Sequence, residues 1–184
     1  MDLRERIVDV GTELVREEGV GALGLREIAR RAGVSHGAPR RYFPAYRDLL
    51  AAIARRGFAD LGARLAAADA GSPRARLRAA AREYVRFALN QPGMFELMFR
   101  HDMLTGGEPR LRESSLPLFR HMVELVHADR PRRRDPARTT AALWSNIHGI
   151  AQLWAWGSLQ LALGGDGEPD ALIDAALAVH LSAA

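Results

Sequence analysis

Residues 26–49, REIARRAGVSHGAPRRYFPAYRDL, decide the fold: a short helix, a glycine turn and a basic second helix follow one another without a break. Ile28, Ala29 and Ala32 are spaced as the buried stripe of a helix, and Gly33 can take the positive φ that ends it. Val34 plugs the turn. Ser35 is a good N-cap for a second helix whose exposed first turn carries His36 and Gly37. On a helical wheel His36, Gly37, Arg40 and Arg41 spread over one side, while Pro39, Tyr42 and Phe43 fall on the other.

This is the pattern of a helix-turn-helix, whose second helix enters the major groove of DNA and presents its first residues to base edges. Arginine suits that task because it donates two parallel hydrogen bonds to guanine, worth about 1–3 kcal/mol of discrimination. From Arg26 to Arg56 eight arginines stand against Glu27 and Asp48, a local balance of +6 in a chain whose total is +4. The positive charge is therefore concentrated where a phosphate backbone would lie. The competing reading of the same stretch is a solvated basic face on an ordinary helical hairpin.

From Arg6 to Leu50 the chain resembles the tetracycline-repressor (TetR) family of transcriptional regulators. The specific part is IA-x-x-AGVS followed by the spacing of Gly37, Arg41 and Phe43. Pro39-Arg40 stands where the family usually has Leu-Tyr, Tyr42 where it often has His, and Tyr46 close to a common Lys. The resemblance implies DNA contact by Arg26, Ser35, His36, Gly37, Ala38, Arg40, Arg41, Tyr42, Tyr46 and Arg47, with Tyr46 and Arg47 near a phosphate at the start of a fourth helix. Packing under the preceding loop is the other reading of Tyr46.

Outward from this head, Asp2 and Glu5 are set as a capping box, and Leu3, Ile7, Val10 and Leu14 recur on one face until Gly19. Gly24, a weak cap, opens the second helix. Pro44-Ala45 leads into a fourth helix from about Tyr46 to Asp69, and Gly71-Ser72-Pro73 breaks the chain after it. The domains are expected as residues 1–46 for DNA binding and 47–184 for a helical body. A helix from about Arg74 to Asn90 follows, then the apolar run MFELMFRHDM, a loop at residues 106–109, and a helix in which Pro117 should kink or delay the start. DRPRRRDP reads as an exposed loop.

One long helix is expected from Pro136 to about Leu163, its Trp-rich stretch from Ala141 to Leu163 buried, and a last one from about Asp170 to Leu181. Trp144, His148 and Gly149 form a W-x-x-x-H-G pattern, one turn apart on a shared face. It resembles the WHG-type C-terminal domain of a large subgroup of the same family. A hydrogen-bonded core histidine is the plainer reading of His148. The resemblance implies an all-α chain of about nine helices: a three-helix head, then a bundle that binds a small apolar or amphipathic molecule and pairs through its last two helices into a homodimer. Phe87, Phe95, Met98, Phe119, Met122, Trp144 and His148 are the candidate pocket residues, and Ala151, Ala155 and Gly157 let helices approach closely.

Composition bounds the rest. The chain has 184 residues, 48% hydrophobic, and contains no cysteine, so disulfides and thiolate metal sites are excluded and a cytoplasmic location is expected. All 26 basic residues are arginine, which makes the local clustering a better argument for nucleic acid than the total. No signal peptide or membrane-length apolar run is read. No catalytic spacing occurs, there is no lysine for a phosphate loop, and no cofactor is implied. His121 and His127 lie roughly 120° apart on a helix, so no metal site is expected there. The reading is a ligand-responsive repressor, not an enzyme, that binds palindromic double-stranded DNA as a dimer. The rival is a helical small-molecule-binding protein or enzyme that does not bind DNA specifically.

Overall fold

The computed structural model describes residues 2–68, 70–104, 111–132, 134–165 and 167–182. Eleven helices and no strand occur among them: α1 Leu3–Glu18, α2 Leu25–Arg31, α3 Ala38–Tyr42, α4 Tyr46–Ala67, α5 Pro73–Asn90, α6 Pro92–Phe99, α7 His101–Leu104, α8 Leu111–Asp129, α9 Pro136–Ala155, α10 Ser158–Leu163 and α11 Asp170–Leu181. The expected nine became eleven because two helices are divided. Arg100 caps α6 before α7, and Gly157, in the left-handed region at φ 75°, separates α9 from α10. The loop expected at residues 106–109 lies outside the described residues.

The chain forms two compact units, Met1–Asp60 with Gln91–Ser115, and Leu61–Asn90 with Leu116–Ala184. The expected boundary after residue 46 thus falls within the first packing unit, and α4 runs on through the second boundary as one helix.

In the first unit, the stripe read on α1 closes over α2 and α4: Ile7, Leu14, Ile28, Leu49, Leu50 and Ile53 are almost wholly buried. Gly11 is where these three helices converge, since a Cβ there would come within 2.5 Å of Ile53 Cδ1 and 3.6 Å of Ile28 Cδ1. A second close approach joins α6 to the end of α1, where a Cβ on Gly93 would meet the Val15 carbonyl oxygen at 2.4 Å. Arg16, Asp60 and Gln91 tie α1, α4 and the start of α6 by hydrogen bonds of 2.8–3.1 Å. The capping box is not formed, because Asp2 makes no side-chain bond to the α1 terminus and only its carbonyl accepts, from the Arg6 amide.

In the second unit, α9 packs on α5, α10 and α11, and α11 also packs on α5. Arg78 and Arg82 on α5 pair with Asp174 and Asp170 on α11, one turn apart on each helix, so the two run antiparallel. Arg74 holds the far end: it donates to Asp129 at 2.8 Å and to the Leu181 carbonyl at 2.6 Å, and Arg130 donates to the same carbonyl at 2.8 Å. These cations satisfy acceptors that the C-terminus of α11 leaves open. Arg130, read from sequence as part of a solvated loop, is therefore partly engaged in structure. Pro117 lies inside α8 without delaying its start. The Trp-rich stretch is not a buried helix throughout: Trp156 is 71% and Leu161 86% exposed. Gly157 serves as a left-handed cap, and no atom beyond its chain neighbours lies within 4 Å of a Cβ built there, so within this chain no other helix packs against it.

Candidate functional site

The turn between α2 and α3 is fixed by backbone bonds. Gly33 adopts φ 65°, its N–H donates to the Arg30 carbonyl at 3.1 Å, and the Val34 N–H reaches back to the Ala29 carbonyl at 3.0 Å. That pair of bonds is a Schellman motif, which needs a residue without a Cβ penalty at the glycine position. The chain then makes one further turn before it becomes helical, with the Ala38 N–H on the Ser35 carbonyl at 2.9 Å. Gly37, not Ser35, is the N-cap of α3, and it caps without a side-chain bond. Ser35, His36 and Gly37 accordingly stand, exposed, in the turn that leads into α3 and not in its first helical turn. Pro39 delays the helix, having no N–H to give to an earlier carbonyl.

Within α3 the two faces separate largely as the wheel implies. Pro39 is buried and Phe43, just after the helix, is 2% exposed beneath the Arg4 guanidinium at 5.0 Å. Arg40 and Arg41 point to solvent, and Ala38 is half-buried. Tyr42 departs from the packing side assigned to it: it is 39% exposed.

The arginines of this region divide into two classes. Arg30 and Arg31 are held by Glu27 at 2.5 and 2.8 Å, and Arg31 also reaches Glu17 and Glu18 on α1. The two guanidinium groups pull the Glu27 carboxyl down to about 2. Arg56 pairs with Asp9 at 3.2 Å. Among the described residues, Arg26, Arg40, Arg41 and Arg47 make no such pair, and all four are exposed. Cationic character therefore survives on and beside α3, while on the rest of α2 it is locally neutralised.

At the start of α4 the Asp48 carboxylate accepts the Ala45 N–H at 3.0 Å, and the Asp48 N–H bonds the Ala45 carbonyl at 3.0 Å. The Tyr46 hydroxyl donates to the Leu23 carbonyl, tying the loop before α2 to α4, and burial raises its pKa. Packing is thus the reading of Tyr46 with a bond behind it, and Arg47 is the side chain at this terminus open to an anion.

The candidate pocket residues are distributed over both units. Phe95 and Met98 are closed in the interior of the first, where Phe95 meets Phe99 edge-on at 5.0 Å and the Met98 sulfur occupies the space that Gly57 leaves open. Phe87 is fully buried in the second unit with the Arg64 guanidinium over its ring at 5.7 Å. Phe119 and Met122 are half-buried on α8. Trp144 and His148 do come together, and the partner that joins them is Tyr84 on α5. The Trp144 indole N–H donates to the Tyr84 oxygen at 3.0 Å, and that oxygen lies 2.7 Å from His148 Nδ1. Burial raises the Tyr84 hydroxyl far above its usual range and lowers the pKa of His148. A bonded core histidine and a ligand-facing one are both compatible with this geometry, since His148 is half-buried and Trp144 is 40% exposed.

A groove of about 360 Å³ runs along a different face of the same unit. It is lined by Ser145, Gly149 and Leu153 on α9, Leu159 on α10, and Leu172 and Val179 on α11, with none of the candidate pocket residues. No candidate metal cluster occurs among the described residues.

Two family descriptions match the chain, "Bacterial regulatory proteins, tetR family" over residues 7–53 and "Tetracyclin repressor-like, C-terminal domain" over residues 77–180. Among solved structures, a protein with unknown function from Rhodococcus sp. RHA1 is 30% identical, with a TM-score of 0.82 over 98% of this chain and 94% of that one. A TetR transcriptional regulator from Streptomyces coelicolor is 20% identical, with a TM-score of 0.73 over 97% and 95%. RolR in complex with its ligand resorcinol is 19% identical, with a TM-score of 0.69 over 96% and 86%. Among curated proteins no sequence matches.

Proposed function

The chain belongs to the TetR family of bacterial regulators, and from that premise we propose that it works as a homodimeric, ligand-responsive repressor which binds a palindromic operator and is released by a small apolar or amphipathic molecule. It is a DNA-binding transcriptional regulator rather than an enzyme. The observation that carries the DNA contact is the selective neutralisation of arginines: Arg26, Arg40, Arg41 and Arg47 are left to an external anion while Arg30 and Arg31 are not. Arg40 and Arg41 read bases or backbone from α3, Ser35, His36, Gly37, Ala38 and Tyr42 flank them, and Arg47 meets phosphate.

The face of α9 and α11 supports the dimer. Leu153 and Val179 are 40% and 71% exposed beside the small residues Ser145, Gly149 and Ala175, an arrangement suited to a partner helix approaching closely. Two heads on one dimer read half-sites about one helical turn apart, roughly 34–36 Å, or more. A ligand held near Trp144 and His148 lowers DNA affinity by changing how both heads fit at once. RolR, with a small aromatic ligand bound, sets a precedent for the size of such an effector. No helix among the described residues is long and apolar enough to cross a membrane, and we place the protein in the cytoplasm with its DNA. The test is a mobility-shift titration on the DNA flanking its own gene at physiological salt, followed by a screen of phenols and aromatic acids for release. Arg40→Ala with Arg41→Ala should abolish the shift; an unchanged shift refutes the assignment of α3.

A further inference from the structure

No described residue of the head requires a glycine at position 37. Its φ of −85° lies in the right-handed region open to any residue, and a Cβ built there meets nothing within 4 Å beyond its chain neighbours. A bare, exposed backbone nevertheless stands at the entry to α3. Four residues on, one turn later on the same side of the helix, comes Arg41. Helical Cα–Cβ bonds tilt toward the N-terminus, so the Arg41 stem sets out over the turn that Gly37 leaves uncovered.

The two arginines of α3 are not equivalent in direction. Pro39 and Phe43 are buried, and the Phe43 N–H carries the helical turn on by bonding the Pro39 carbonyl at 2.8 Å. Measured from Pro39, Arg40 stands at about 100°, Arg41 at about 200° and Tyr42 at about 300° around the helix. Arg41 therefore points away from the anchored side, and Arg40 and Tyr42 occupy opposite shoulders. A helix in the major groove turns its outermost residue to the base edges and its shoulders to the phosphate strands on either wall. Residues 35–42 hold no Asn or Gln to read adenine in bidentate fashion, and no Asp or Glu to accept from cytosine. Arginine is the bidentate reader on this helix, and its partner base is guanine, through O6 and N7.

We infer that Arg41 selects a guanine in each half-site, reaching the base edge across Gly37, while Arg40 meets the DNA backbone. This assignment rests on the DNA-binding role of α3 proposed above. It narrows that role to one specificity-determining residue and to a guanine-bearing half-site.

The experiment selects sites from a randomised duplex library with the full-length protein at physiological salt. The wild type should enrich a guanine at one symmetry-related position in each half-site. Arg41→Gln should move the preference there from guanine to adenine, which glutamine reads in the same bidentate way, and leave the other positions alone. A guanine-to-adenine change in one half-site should weaken wild-type binding by about tenfold or more, and Arg40→Gln should show the same discrimination. Gly37→Leu should lower affinity for the selected site by about tenfold or more, with a melting temperature within about 3 °C of wild type. Guanine retained by Arg41→Gln, or lost by Arg40→Gln in its place, overturns the inference. Unchanged affinity in Gly37→Leu overturns the path across the glycine. A variant too weak to enrich any site is titrated at lower salt on the guanine and adenine duplexes, where equal affinity supports the assignment and a preserved guanine preference refutes it. If the Arg40→Ala, Arg41→Ala protein binds as the wild type does, α3 itself is misassigned and the function proposed above falls too. Binding lost in that protein, with guanine retained by Arg41→Gln, refutes this inference alone.

Discussion

The division of the arginines makes the salt dependence of DNA binding a quantitative test. Each phosphate neutralised by a side chain contributes about −0.9 to the slope of log K against log salt. If Arg26, Arg40, Arg41 and Arg47 all meet phosphate from both heads of a dimer, the slope is about −7; with Arg40 and Arg41 on base edges it is about −4. If all eight arginines between residues 26 and 56 took part, it would reach about −14. Between about 50 and 200 mM salt a slope near −7 costs roughly 10⁴ in affinity, and one near −14 roughly 10⁸, so the alternatives are easily separated. Fluorescence anisotropy on a labelled duplex from the flanking DNA, titrated at several potassium chloride concentrations, measures it directly. Arg41→Ala should make the slope shallower by about 2 if the side chain sits on phosphate, or leave it alone and relax sequence preference by about 1–3 kcal/mol per head if it sits on a base. A slope near −14 would mean that DNA pulls Arg30 and Arg31 away from Glu27. An Arg40→Ala, Arg41→Ala protein with unchanged slope and unchanged preference would refute the reasoning outright.

Three further outcomes are open to measurement. Gly93→Ala should lower stability by about 2–3 kcal/mol, because the added Cβ meets the backbone of Val15 and Gly19 and no rotamer change can clear it; roughly 5–10 °C lost in thermal unfolding is expected, and a melting point within a degree of wild type would contradict the packing. Leu153→Glu with Val179→Glu should yield a monomer by sedimentation and reduce affinity for a two-half-site duplex by about 10²–10⁴, whereas an intact dimer would move the interface elsewhere. His148, its pKa lowered by burial, contributes stability above about 6.5, the ordinary histidine value, and loses that contribution as the pH falls because the unfolded chain takes up the proton more readily. His148→Gln should therefore flatten the decline in chemical-denaturation stability on acidification below neutral pH, and identical pH profiles for the two proteins would rule out the buried neutral imidazole.

What the sequence made legible is what depends on near neighbours. The apolar stripe of α1, the Gly33 turn and the weak Gly24 cap are all decided within one or two helical turns, and the Schellman bonds at Ala29, Arg30, Gly33 and Val34 realise the turn as read. The start of α3 was less legible although the relevant residues are adjacent: Ser35 is a good cap by propensity, but Gly37 and Pro39 favour one more turn first. The break at Gly157 had a visible signal, a glycine between two apolar segments whose periodicity otherwise continues as one long helix.

The rest was illegible because it depends on partners distant in sequence. Nothing near Tyr46 indicates that its hydroxyl will find a carbonyl 23 residues earlier, and nothing near Arg74 indicates Asp129 or the end of α11. The same holds only in part for the division among the arginines. Glu27, three and four residues before Arg30 and Arg31, is a local signal that Arg40 and Arg41 lack, while only folding brings Glu17 and Glu18 from α1 onto Arg31. A cluster of cations in sequence thus sets an upper limit on the charge available to DNA, and the tertiary contacts of the head decide how much of it remains. The slope of a salt titration therefore reports on the fold of the head as much as on its contacts with DNA.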